Sequence, residues 1–449
     1  MKVLRLAGMF SRPGPGSRAA LILPIVAFGV VSALVLVVLA GVQVFFSWSG
    51  DTAGLYQALA VIALALLIVP LLGLGGSAAR LSARRRDDRL STLRLLGASA
   101  STVAALTVLE STALALIGAL AGVAGYALLV PLVGLIRFRG DALGTAAMWM
   151  PAVEIVGVVA ALLVLAATSA AIGLRSVVIS PLGVRTRQSA PRTHWLRLVV
   201  GVVVIAASVG AVSLIGRLGG SEQMVIAIAI LTLLVGFGGT MAILNLIGPW
   251  VVGAFARRQV KHAKNAQRLI AARAILESPK AAWRQISGVA MTSFMAVFAG
   301  TGLALAQTAQ SSGLDAQGRD LVDDIRTGIF LTIAISFIMV ACSVGVNQAA
   351  GILDRRDLYV SLDRLGMPIG AMDASRRRAV MSPLRIVTVG SAVCAAVVIL
   401  PLTGIAMIIA PLSIGVILAA LTAGIGLVWL GLRATRPVLS RVLREPERV

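Results

Sequence analysis

Cysteine and histidine are nearly absent, with two of each in 449 residues. The cysteines, Cys342 and Cys394, both lie inside apolar runs, which excludes a disulfide framework and reads as buried free thiols. The histidines, His194 and His262, stand in basic segments with no carboxylate or cysteine at metal-ligand spacing, so they read as surface residues and offer no metal site. No lysine follows a glycine anywhere. That removes the G-x-x-x-x-G-K-[ST] loop that cradles nucleotide phosphates, and the chain reads as a non-enzyme without a cofactor of its own. Charge is also scarce, at 13% of residues, and beyond the first turn of the apolar runs it reduces to Glu110, Arg385 and Glu154. An ion-coupled carrier ordinarily needs more buried ionisable groups than this.

What the chain has in abundance is apolar length. Hydrophobic residues make up 58% and the mean hydropathy is +0.97, the composition of an integral membrane protein. Crossing about 30 Å of hydrocarbon takes roughly 20 helical residues. About ten such runs can be drawn, at 20–46, 55–79, 102–130, 149–173, 196–216, 223–250, 285–310, 327–350, 380–405 and 408–431. A net charge of +22 would suggest a nucleic-acid partner in a soluble protein. Here the basic residues gather on one side of the spans, leaving only Arg137, Arg139, Arg217, Arg319 and Arg326 on the other. This asymmetry predicts cytoplasmic N- and C-termini and no nucleic acid. All six tryptophans fall near predicted span ends, as an interfacial belt requires.

One short pattern is written twice. Arg86, Asp88, Thr92, Leu93, Leu96 and Gly97 reappear at one constant offset as Arg355, Asp357, Ser361, Leu362, Leu365 and Gly366. Leu90, Leu93 and Leu96, like Tyr359, Leu362 and Leu365, recur every third residue, so each copy reads as a short amphipathic surface helix closed by glycine. Pro13 and Arg18 are matched by Pro279 and Arg284 at nearly the same offset. The division this predicts is all-α: a four-helix unit over 1–185, a two-helix insert with basic linkers over 186–261, a second four-helix unit over 262–440 and a cytoplasmic tail over 441–449. The duplicated surface helices read as two equivalent docking points for a soluble partner.

The segment from Arg84 through Leu93-Arg94-Leu95-Leu96-Gly97-Ala98-Ser99, with Glu110 and the small-residue run Gly118 to Gly122 downstream, resembles the FtsX-like permease family, the membrane subunits of bacterial ABC systems. The resemblance implies a multi-pass permease of the bacterial plasma membrane, coupled to two separate ATPase subunits that carry ATP and Mg²⁺. Their docking residues would be Arg86, Asp88, Leu93, Leu96 and Gly97 in one copy and Arg355, Asp357, Leu362, Leu365 and Gly366 in the other. The ten-helix layout is similar to that of the bacitracin-type permeases, without their large outer domain, since the loops near 47–54 and 311–327 are short. Small outer loops favour a hydrophobic or amphiphilic substrate entering from membrane lipid, with export or antimicrobial resistance as the role. The alternatives are a non-transporting regulator that transmits force and an ion-coupled secondary transporter. Glu110 and Arg385, at comparable depth in equivalent helices, form a possible intramembrane polar pair, against an interhelical hydrogen bond for one and snorkelling of the other. The glycine clusters at 73–76 and 236–239 read as close helix packing.

Overall fold

The computed structural model describes residues 18–50, 52–84, 99–179, 222–310, 316–403 and 411–444. Almost all of them are helical, as an apolar chain must be where no water is at hand to satisfy its backbone. The helices are α1 (Arg18–Ser47), α2 (Ala53–Arg84), α3 (Ala100–Val133), α4 (Ala152–Ile179), α5 (Glu222–Lys261), α6 (Ala266–Glu277), α7 (Pro279–Gln310), α8 (Ala316–Asp354), α9 (Arg356–Arg364), α10 (Ile369–Thr403), α11 (Pro411–Ala434) and α12 (Arg436–Arg444). A two-stranded hairpin, β1 (Arg137–Phe138) and β2 (Asp141–Ala142), sits between α3 and α4. Seven candidate membrane spans occur among the described residues, in α1, α2, α3, α4, α8, α10 and α11–α12. The expected spans at 223–250 and 285–310 fall in the long helices α5 and α7, and the one at 196–216 lies outside the described residues.

Several boundaries differ from the hydropathy reading. The helix expected from 327 begins at Ala316, because the polar stretch Asp320-Leu-Val-Asp-Asp-Ile-Arg326 adds a further helical segment ahead of the apolar run. Of the tail expected over 441–449, residues 441–444 are the end of α12, which buries Leu439 and Val442 and carries Arg441 and Arg444 in its last turn, and 445–449 lie outside the described residues. Cys394, expected to be buried, is exposed on α10, and Cys342 is half-buried.

The chain forms two compact units. The first holds 1–186, 315–369 and 426–449, and the second 187–314 and 370–425. In the first, α1 is central and packs on α2, α3 and α8. Small residues set the α1–α3 seam. A Cβ at Gly118 would stand 2.7 Å from both the carbonyl oxygen of Ile25 and the Cβ of Phe28, and one at Gly122 would meet Ser32 and the Gly29 carbonyl. Only hydrogen fits at these crossings, so the backbones approach closely and gain dispersion contacts where lipid supplies no hydrophobic drive. Ser32 Oγ donates to the Ala119 carbonyl oxygen across 3.1 Å, satisfying a fully buried hydroxyl. Helix α8 closes the other side of α1 and α2 through Ile335 and Met339, in one core with Val31, Leu67, Leu74 and Leu162. A Cβ at Gly75, in the first glycine cluster, would approach Leu165 of α4 to 3.2 Å.

In the second unit α5 packs on α6 and α7. Gly248 lies under the ring of Trp283, whose Nε1–H donates to Asn245 Oδ1 across 2.8 Å, so the indole is both packed and hydrogen-bonded.

Candidate functional site

Helix α9 carries the second copy of the repeated pattern. None of its residues is buried, although it directly follows the 39-residue α8. Arg355 and Asp357 are exposed, Leu362 is half-buried, Leu358 is 50% exposed and Leu365 82% exposed. Gly366 adopts φ +82°, and its N–H donates to the Asp363 carbonyl oxygen (2.9 Å) while that of Met367 donates to Leu362 (3.0 Å). The left-handed glycine satisfies the last carbonyls of the helix and turns the chain into α10. Ser361 Oγ back-bonds to the Asp357 carbonyl oxygen at 2.7 Å. Helix α12 packs against both α8 and α9, with Leu439 fully buried, so α9 is braced on one side and open on the other. The first copy, with Arg86, Asp88, Leu93, Leu96 and Gly97, lies outside the described residues. Ser99 just beyond it caps α3, accepting from the Thr102 N–H at 3.2 Å.

At the other end of α8 is an arrangement that sequence reading missed. Arg139 occupies the left-handed region at φ 54°, followed by Gly140 at φ +81°, which makes the tight two-residue turn joining β1 to β2. A non-glycine residue there is strained by about 1–2 kcal/mol, and three interactions offset it. The Arg139 N–H donates to Asp324 Oδ2 at 2.9 Å and Oδ1 at 3.2 Å. Its guanidinium lies over the rings of Trp48 (4.5 Å) and Tyr56 (4.7 Å). Its terminal nitrogen donates to Thr52 Oγ1 at 2.9 Å. Tyr56 also donates its hydroxyl to Asp324, 2.5 Å away, and Phe45, Trp48, Tyr56 and Phe138 pack edge to face around the turn. Asp324 is 6% exposed. The loop leading into α4 is held the same way: the buried Tyr126 hydroxyl donates to the Met148 carbonyl oxygen and accepts from the Met150 N–H (2.9 Å). The only available sequence signals were Arg139-Gly140 between short strand-like residues and an Asp320-to-Asp324 acidic run read as loop.

Of the intramembrane charges, Glu154 at the start of α4 accepts a hydrogen bond from the Gln43 side chain of α1. Glu110 is half-buried in α3 of the first unit. Arg385 belongs to the second unit, exposed on α10 and lining a cleft between α5, α6 and α10. Among the described residues no cluster of His, Cys, Asp and Glu could hold a metal ion.

Seven candidate spans, an almost wholly helical chain and exposed amphipathic segments between the spans define a multi-pass membrane protein. A family model described as FtsX-like permease C-terminal matches residues 77–179, from the end of α2 through α3 and the hairpin to α4. No curated protein matches the chain.

Proposed function

We propose that this chain is the permease subunit of a bacterial ABC transporter, docked by two separate ATPase subunits that bind ATP and Mg²⁺, and that it moves a hydrophobic or amphiphilic substrate, with export or antimicrobial resistance as its role. The observation that carries this reading is α9: a charged helix with no buried residue, braced by α12, directly continuing an apolar span. Exposed Leu365 supplies apolar surface worth about 1.5–2.5 kcal/mol when covered and half-exposed Leu358 about half as much as a fully exposed leucine, and Arg355, Arg356 and Arg364 supply a charged rim. The order of elements supports a repeat. Long helices α1, α2, α3 and α4 are followed by α7, α8, α10 and α11, with the patterned segment after the second member each time. In the proposed layout of two such four-helix units with a two-helix insert, the segment at 86–97 is the second docking point.

Helix α8 gives the coupling a physical path. From Asp324 to Asp354 it spans 30 residues, about 45 Å at 1.5 Å per residue. Movement of α9 by a docked ATPase is passed as a rigid-body displacement of α8 to the Arg139 turn at its far end. The short connections there offer little surface for a water-soluble ligand, so recognition falls within the lipid-facing helices.

The test is purification of the tagged chain from its native membranes. An ABC ATPase should co-purify, and Leu362→Asp with Leu365→Asp should abolish its recovery without lowering the amount of chain in the membrane. Full recovery of the ATPase with the double variant rejects the docking assignment.

A further inference from the structure

The second unit contains a cleft that the docking reading does not use. It has a volume of about 730 Å³ and is lined by Phe255, Arg258, Gln259 and His262 of α5 and the turn after it, Arg268 and Ala271 of α6, and Arg378, Met381, Ser382 and Arg385 of α10. The α5 set and the α10 set each follow the spacing i, i+3, i+4, i+7, so each is a single continuous stripe along its helix. The two stripes are tied at the wall by Ser382 Oγ donating to Gln259 Oε1 (3.4 Å), and α10 is tied to α6 by Arg378 donating to Gln267 Oε1 (3.1 Å).

Four arginines and a histidine converge here, and no carboxylate is among the lining residues. The nearest acid along α10, Asp373, is already engaged. It is buried and pairs with Arg376 at 2.7 Å and Arg377 at 3.1 Å, leaving the third arginine of that run, Arg378, to the cleft. Guanidiniums crowded without a counter-charge repel one another, and their planar donor forks match the oxygens of a phosphate.

We propose that this cleft binds the phosphate headgroup of an anionic phospholipid. Three observations favour a lipid over a soluble phosphate. The lining is amphiphilic, since Phe255, Ala271 and Met381 provide an apolar wall beside the arginines, suited to the glycerol and first methylenes of acyl chains. The cleft lies at headgroup depth: Arg385 is followed on α10 by an uncharged run to Val397, apolar but for Thr388 and Ser391, within a candidate span, and exposed Trp250 stands two turns before Arg258 on α5, as an interfacial tryptophan does. Finally, this is the basic end of both helices, which the positive-inside rule turns toward the leaflet whose anionic lipids attract clustered arginine.

The test uses the full chain purified in a neutral detergent. Thermal melting and native mass spectrometry are recorded with phosphatidylglycerol, with phosphatidylcholine, with inorganic phosphate and with ATP. Phosphatidylglycerol should raise the melting temperature by several degrees and leave retained one-lipid adducts, while the other three do neither. Arg378→Gln with Arg385→Gln should reduce the adduct at least fivefold, and Ser382→Trp, which fills the cleft with every arginine in place, should do the same. Arg433→Gln, which removes a guanidinium of the first unit stacked on the Trp429 ring at 4.1 Å, should change nothing. Undiminished phosphatidylglycerol adducts in both cleft variants overturn the proposal, as does a response to inorganic phosphate or ATP equal to that to phosphatidylglycerol.

Discussion

The backbone N–H of Arg139 donates to the buried carboxylate of Asp324 across 2.9 Å, tying the turn between α3 and α4 to the first turns of α8. The carboxylate also takes the Tyr56 hydroxyl from α2, so one side chain joins three segments far apart in sequence. Asp324→Ala removes the acceptor for both donors and should destabilise the first unit by about 2–3 kcal/mol, the cost of stranding buried polar groups. Asp324→Asn keeps the shape and one acceptor oxygen, and should cost less. Thermal unfolding of the purified variants followed by tryptophan fluorescence checks this order, with Trp48 as a local reporter.

Arg139 itself separates conformational strain from side-chain contact. Arg139→Ala loses the stacking on Trp48 and Tyr56, about 0.5–2 kcal/mol, and keeps the unfavourable φ. Arg139→Gly loses the same stacking but relieves the backbone. The glycine variant should therefore melt higher than the alanine variant, by roughly 1 kcal/mol of stability.

The α1–α3 seam should be intolerant of bulk. Gly122→Val meets Ser32 and the Gly29 carbonyl, neither of which has a flexible end to move, and should lower the yield of folded protein sharply. Gly157→Ala, on α4 with nothing within 4 Å of the added methyl, is the matched control and should behave as wild type. Detergent-resistant fraction on size exclusion gives the readout.

Helix α12 should govern access to α9. Leu439 is fully buried, and its replacement by Ala should cost about 2–4 kcal/mol, released locally as loosening of α12. Limited proteolysis in the 355–368 segment should then accelerate, while cleavage between α3 and α4 stays at the wild-type rate.

Because the proposed chain carries both docking segments, native mass measurement of the assembled complex should give one copy of this chain with two ATPase subunits. Two copies of the chain per two ATPases would contradict the internal repeat as the source of the paired sites.

The sequence alone determined what depends on local chemistry. Apolar runs of membrane-spanning length specify helices wherever they occur, because lipid leaves the backbone no other partner. The short helix after α8 and its stop at Gly366 were legible from the every-third apolar spacing and the terminal glycine, and the close approach of Gly75 to Leu165 from the glycine cluster at 73–76. What only the tertiary structure decided are relations between distant residues of similar composition. No periodicity indicates that α8 packs against α1 and α2, since one Leu, Val and Ala surface fits another almost equally well in hydropathy and differs only in shape. The pairing of Asp324 with Arg139, 185 residues earlier, was hidden for a second reason: a polar run at a helix start reads as loop until a partner buries it. The arginines of the second-unit cleft were visible individually as basic residues, but only the folding of α6 and α10 against the end of α5 gathers them around one volume.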